Sequence, residues 1–130
     1  MPQFTIDATG RTFQRDLKEA RKRHPSIVDD VAATLRGLAD NSISGDWIPG
    51  LGKGVEVRKI RLGVKKENIG KSGGYRLIYL VEAETKVIRL LFLHFKPREA
   101  LVPLSEIEAA IKMLSNQGES EGQNEASKPS

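Results

Sequence analysis

The stretch "YRLIYLVEAETKVIRLLFLHF", residues 75–95, decides how this chain is to be folded. Tyr75 to Val81 reads as a strand, Glu82 to Lys86 as a turn, and Val87 to Phe95 as a second strand, together an antiparallel hairpin. The second arm is apolar on both faces, which puts it in the middle of a sheet. The first arm carries an arginine, Arg76, among apolar neighbours. A sheltered guanidinium must be paired, so Arg76 has either a structural salt bridge, with Glu56 or Glu82, or an anionic ligand.

Upstream, "VRKIRL" (residues 57–62) is a third extended segment. Alternation puts Ile60 and Leu62 on one face and Lys59 and Arg61 on the other. Between this segment and the hairpin, "GVKKENIGKSGG" (63–74) is a basic loop punctuated by glycine. Its Gly73-Gly74 end is expected to let the loop turn sharply into the strand. "GKS" imitates a phosphate-binding loop. That motif requires a glycine five residues before its second glycine, where Lys65 stands, and a helix after it, where a strand stands. Nucleotide hydrolysis is excluded on both counts.

Before these strands lies a helical hairpin. Phe13, Leu17 and Ala20 recur at helical spacing from Thr12 to about Arg23, and His24-Pro25 breaks the pattern. Ser26, with Asp29 three residues on, resembles a capping start, and Ile27, Val31, Leu35 and Leu38 stripe a second helix to about Ala39. Gln3 to Ile6 reads as a short first strand. Residues 41–54 form a turn-rich connector, with Trp47 and Ile48 expected to plug it onto the core. Ser105 to Leu114 is a final amphipathic helix. The order β-α-α-β-β-β-α predicts an α+β fold: an N-terminal strand and helical hairpin, an antiparallel meander, and a C-terminal helix. The folded domain spans residues 1–114, and residues 115–130 are expected to be a disordered polar tail.

With 130 residues and no cysteine, the chain suits one domain without disulfides or thiolate metal sites. No apolar run approaches the roughly 18 residues of a membrane span. The N-terminus lacks the pattern of a secretory signal, so a cytoplasmic protein with no membrane association is expected. The formal net charge is +4, but residues 116–130 hold three glutamates and one lysine, leaving +6 on the rest. That whole excess lies within residues 51–76, where Lys53, Arg58, Lys59, Arg61, Lys65, Lys66, Lys71 and Arg76 face only Glu56 and Glu67. A cationic stripe of this kind implies either a polyanionic partner such as nucleic acid or a solvated basic loop. In a meander, Lys59, Arg61, Arg76 and Lys96 converge on one concave surface, and His94 projects from the same face as Lys96. Tyr75 and Tyr79 read either as stacking platforms for bases or as core aromatics with wet hydroxyls.

The run "VRKIRL", then "GKSGGYRLIYLVEAETKVIRLLFLHFKPRE", then "LSEIEAAIKML", resembles the RelE/ParE superfamily of bacterial type II toxins, and within it the HigB-type toxins. The resemblance covers about Phe4 to Leu114. It implies a small sheet whose concave face docks messenger RNA on the ribosome and cuts it, and a cognate antitoxin encoded alongside that forms a hetero-oligomer with the toxin. Carried over by motif, the catalytic positions are Lys59 and Arg61, Arg76, and Lys96 or Arg98 in "FKPRE". RNA contacts are expected from Lys53, Arg58, Lys65, Lys66, Lys71, Tyr75, Tyr79, His94 and Arg98. The family's tyrosine near the start of the last helix is missing from "LVPLSE", and Tyr79, Tyr75 or His94 is left to replace it. Such a cut needs no metal and no cofactor: the RNA 2′-hydroxyl attacks the adjacent phosphate. Clustered cations orient the attack and stabilise the phosphorane, and a lysine crowded by other cations, such as Lys59, can act as base, though which residue does so is left open. A ParE-like gyrase poison is the alternative within the superfamily. A non-catalytic nucleic-acid-binding module is the alternative outside it, though aromatics form only 5% of the chain, few for a stacking surface.

Overall fold

The structure, a computed structural model, describes residues 3–96 and 101–114. Strand β1 (Thr5–Asp7) leads into helix α1 (Arg11–Arg23) and helix α2 (Ile27–Asp40). Strands β2 (Asp46–Trp47), β3 (Glu56–Leu62), β4 (Tyr75–Glu82) and β5 (Val87–Phe95) follow, and helix α3 occupies residues 104–114. The expected α+β class holds. The sheet is larger than a three-stranded meander: it has five strands in the order β1-β5-β4-β3-β2. It is mixed, because β1 runs parallel to β5 while the other pairings are antiparallel. The expected tail from residue 115 lies outside the described residues.

Both helices of the hairpin form where the apolar stripes require them. In α1, Phe13 and Ala20 are buried, and Arg21, Lys22 and Arg23 sit at the negative end of the helix dipole. In α2, Asp29 and Asp30 sit at the positive end; such charges contribute about 0.3–1 kcal/mol each. The Ser26 cap does not form, since its side chain makes no hydrogen bond to the helix.

The sheet is covered on both faces. Leu62, Tyr75, Leu77, Tyr79, Val81, Ile88 and Leu90 pack against the α1–α2 hairpin. Val57, Ile78, Leu80, Leu91 and Phe92 pack against Ile107 and Ala110 of α3. A bulge makes this division possible in β5. Ile78 pairs with Phe92 but Tyr79 pairs with Leu90, so Leu91 has no opposite number and both Leu91 and Phe92 turn towards α3. Beyond β1 the outer edge of β5 is covered by α1. Thr12 Oγ1 donates to the Leu91 carbonyl (2.7 Å), and Asp16 Oδ2 accepts from the Leu93 amide (3.0 Å). An otherwise open strand edge is thereby satisfied.

The connector of residues 41–54 contributes strand β2. Trp47 is half exposed rather than a core plug, with the Arg58 guanidinium 5.5 Å from its ring centroid. Ile48 does pack against the α3-side core. Tyr79 pins the connector: its hydroxyl accepts from the Gly45 amide and donates to the Ser42 carbonyl, both at 2.9 Å.

Candidate anion-binding site

Strand alternation places Val57, Lys59 and Arg61 on the α3 side of β3, and Arg76 and Ile78 on the same side of β4. The register then sets the neighbours. Arg61 stands opposite Arg76, and Arg76 stands opposite His94, so the three form one row across β3, β4 and β5. The next row is Lys59, Ile78 and Phe92. Lys96 extends the ladder past β5, its amide donating to the Gly74 carbonyl at 2.9 Å.

Lys59, Arg76, His94 and Lys96 line one wall of a cleft of about 160 Å³. Ile48, Ile78, Leu101, Val102 and Ile107 line the rest. The volume matches about five waters, room for a phosphate group. Arg61 lies outside this cleft. It borders a second, wider depression between α2 and β3, with Lys65, Lys71 and Asp30.

The cations in the cleft have few protein counter-charges. The two carboxylates that the sequence offered to Arg76, Glu56 and Glu82, are taken by other arginines. Glu56 Oε2 accepts from Arg58 Nε at 2.7 Å, and Glu82 Oε2 accepts from Arg89 Nε at 3.0 Å. Arg89 also bonds Asp7, tying β1 to β5. Asp46 stands opposite Lys59 in register, but no ion pair joins them. Among the described residues, Lys59, Arg61, Arg76 and Lys96 form no salt bridge. Like charges directly opposite on paired strands are destabilising. Arg61, which is exposed, stands against Arg76 with no carboxylate between them among the described residues, which leaves the row open to an anion from outside.

The other basic positions separate into different places. Arg58 belongs to the framework, held by Glu56 and donating to the Gly45 carbonyl at 2.8 Å. Lys66 pairs with Asp29 at 3.4 Å, and the Lys65 amide lies 3.3 Å from Asp30 Oδ1, so their loop leans on α2. Lys53 and Lys71 are exposed. Arg98 lies outside the described residues.

The two tyrosines drop out as stacking platforms. Tyr75 is 1% exposed and Tyr79 fully buried, both on the hairpin side of the sheet, opposite the cleft. Tyr75 Oη lies 2.8 Å from His24 Nδ1 and accepts from Arg23 at 3.4 Å, while the rings of Tyr75, His24 and Phe95 pack together. Burial pushes the Tyr79 phenol above its ordinary range.

One residue that the sequence did not point to approaches the site. Asp16 Oδ2 lies 3.8 Å from His94 Nε2. The carboxyl of Asp16 is raised above 3.8 chiefly by burial, against the Leu93 amide and the charge of His94, which lower it. The only local signal is the four-residue spacing of Thr12 and Asp16, which puts both on one side of α1.

No family model matches this chain, and no curated protein resembles it closely enough to count as a relative.

Among the described residues, no group of three or more His, Asp or Glu could hold a metal ion. No helix there is long and apolar enough to cross a membrane.

Proposed function

We propose that this protein is the toxin of a type II toxin–antitoxin pair, a ribosome-dependent messenger-RNA endoribonuclease of the RelE/ParE kind, nearest to HigB-type toxins. The observation that carries the proposal is the row Arg61–Arg76–His94, with Lys59 and Lys96 beside it and no neutralising carboxylate on Arg76 among the described residues. The cleft suits one phosphate, and its apolar side suits the sugar or base attached to it.

In the proposed reaction the RNA 2′-oxygen attacks phosphorus, a new O2′–P bond forms and the P–O5′ bond breaks. Arg76 grips the non-bridging oxygens, because a guanidinium meets phosphate bidentately and stabilises the charge that builds on the phosphorane. Lys59 is the candidate acceptor of the 2′-hydroxyl proton. Of the three residues that could replace the missing family tyrosine, Tyr75 and Tyr79 face the hairpin core, and His94 faces the cleft. His94 therefore takes the role of proton donor to the leaving 5′-oxygen. Arg61, with Lys65 and Lys71 beyond it, attracts the flanking backbone. The partners are the ribosome, messenger RNA and an antitoxin that silences the basic face, and the place of action is the cytoplasm.

Inducible expression with mapping of transcript ends tests this. Cuts inside translated frames are expected, together with growth arrest that a co-expressed antitoxin relieves. Intact transcripts with trapped gyrase–DNA complexes would instead indicate a gyrase poison, and neither effect would indicate a binding module.

A further inference from the structure

His94 is not held by the cationic cleft alone. On its β4 side stands Arg76, in register; Lys96 and Lys59 line the same wall. The Phe92 ring meets the imidazole edge-on at 5.5 Å. From α1 comes Asp16, 3.8 Å from Nε2, with Arg15 on its other oxygen at 3.3 Å. A protonated imidazole beside three cations needs a nearby anion, and among the described residues Asp16 is in ion-pair reach of it.

Asp16 also anchors α1 by accepting the Leu93 amide. An asparagine would satisfy that amide equally well through its side-chain oxygen. The carboxylate goes further and keeps a charge where its side chain is only 11% exposed, which burial disfavours. Beyond the hydrogen bond to Leu93, the charge acts on His94 across the contact of α1 with β5.

We propose that Asp16 is the positioning residue for His94. Its carboxylate, 3.8 Å from Nε2, holds its charge beside the ring at the α1-covered edge of β5, and balances the imidazolium that protonates the leaving 5′-oxygen. In that step the proton moves from His94 to O5′ as the P–O5′ bond breaks, and the pair is left as carboxylate and neutral imidazole. The inference rests on the nuclease reading of the cleft.

Two measurements test it, both on the full chain. The first follows the Asp16 carboxyl carbon by NMR through acid titration. In His94→Gln it should titrate at higher pH than in the wild type, because the lowering by His94 is gone. An unchanged titration overturns the pairing, and this variant leaves the Asp16 anchor intact. The second is a double-mutant cycle in single-turnover cleavage on programmed ribosomes. Asp16→Asn should slow cleavage about tenfold, with little change in the ribosome concentration giving half-maximal rate. Its effect should vanish in a His94→Gln background. Additive losses would make Asp16 merely structural and overturn the proposal. If the wild type cuts nothing, the nuclease reading falls and the positioning role with it, whatever the titration shows.

Discussion

Arg61 and Arg76 face each other directly across β3 and β4, with no carboxylate assigned to either among the described residues. Cross-strand like charges cost about 0.2–1 kcal/mol. The protein carries that cost, reduced by solvent at the exposed Arg61, on a face where apolar or mixed-charge pairs would serve stability better.

Arg76→Ala should consequently remain folded, with a stability change under about 1 kcal/mol in either direction. Cleavage should fall on the order of a hundredfold or more, from loss of about 3 kcal/mol of transition-state stabilisation. Arg76→Lys should recover little, because the bidentate grip is gone. Thermal melts and cleavage rates on the same preparations check both halves. An Arg76→Ala protein that is folded and fully active removes Arg76 from the site.

Tyr79→Phe should behave in the opposite way. It leaves the Gly45 amide and the Ser42 carbonyl without their partner, at a cost of about 1–3 kcal/mol. The folded fraction should keep its full activity, since the ring lies on the far side of the sheet. Urea melts and activity per folded molecule separate the two effects. Undiminished stability with lost activity would return Tyr79 to the list of RNA contacts.

The two glycines before β4 should differ. A Cβ on Gly74 would sit 2.4 Å from the Leu62 carbonyl oxygen and 3.0 Å from Gly63 Cα, both backbone atoms with no freedom to yield. Gly74→Ala should cost about 1–3 kcal/mol or more. A Cβ on Gly73 meets nothing within 4 Å, so Gly73→Ala should be neutral, or stabilising by up to about 1 kcal/mol through the unfolded chain. Denaturant midpoints of the pair decide it; equal losses would mean that the loop does not approach β3 this closely.

Asp16 predicts a pH dependence with a definite sign. Its folded-state pKa lies above the unfolded value near 3.8, chiefly through burial. Between those two pKa values the folded state binds the extra proton, so stability falls as pH rises through that window and is level above it. Asp16→Asn removes this term. The variant should melt higher than wild type at neutral pH, and the difference should shrink as pH falls from the folded-state pKa to the unfolded one and level off below it. A difference that grows towards acid would contradict the assignment.

The sequence alone determined the helices, the strands other than β2, and the two faces of β3. Periodicity of 3.6 in residues 12–23 and 26–39, and of two in "VRKIRL", follows from local backbone geometry, and the structure has helices and strands within a residue or two of those positions. The same alternation put Lys59 with Arg61, and the hairpin put Arg76 beside them. Chain-distant placement lay beyond such patterns. Parallel pairing of β1 with β5, the bulge at Leu91, and α3 on the second face depend on contacts between residues far apart in the chain. So did the side taken by each tyrosine: Tyr75 and Tyr79 have the parity of Leu77, and only the packed hairpin made that face the core. Asp16 is the clearest case. On its own helix it is one more charge among charges, and it gains a role only because α1 covers the edge of β5 and brings its carboxylate to Leu93 and His94.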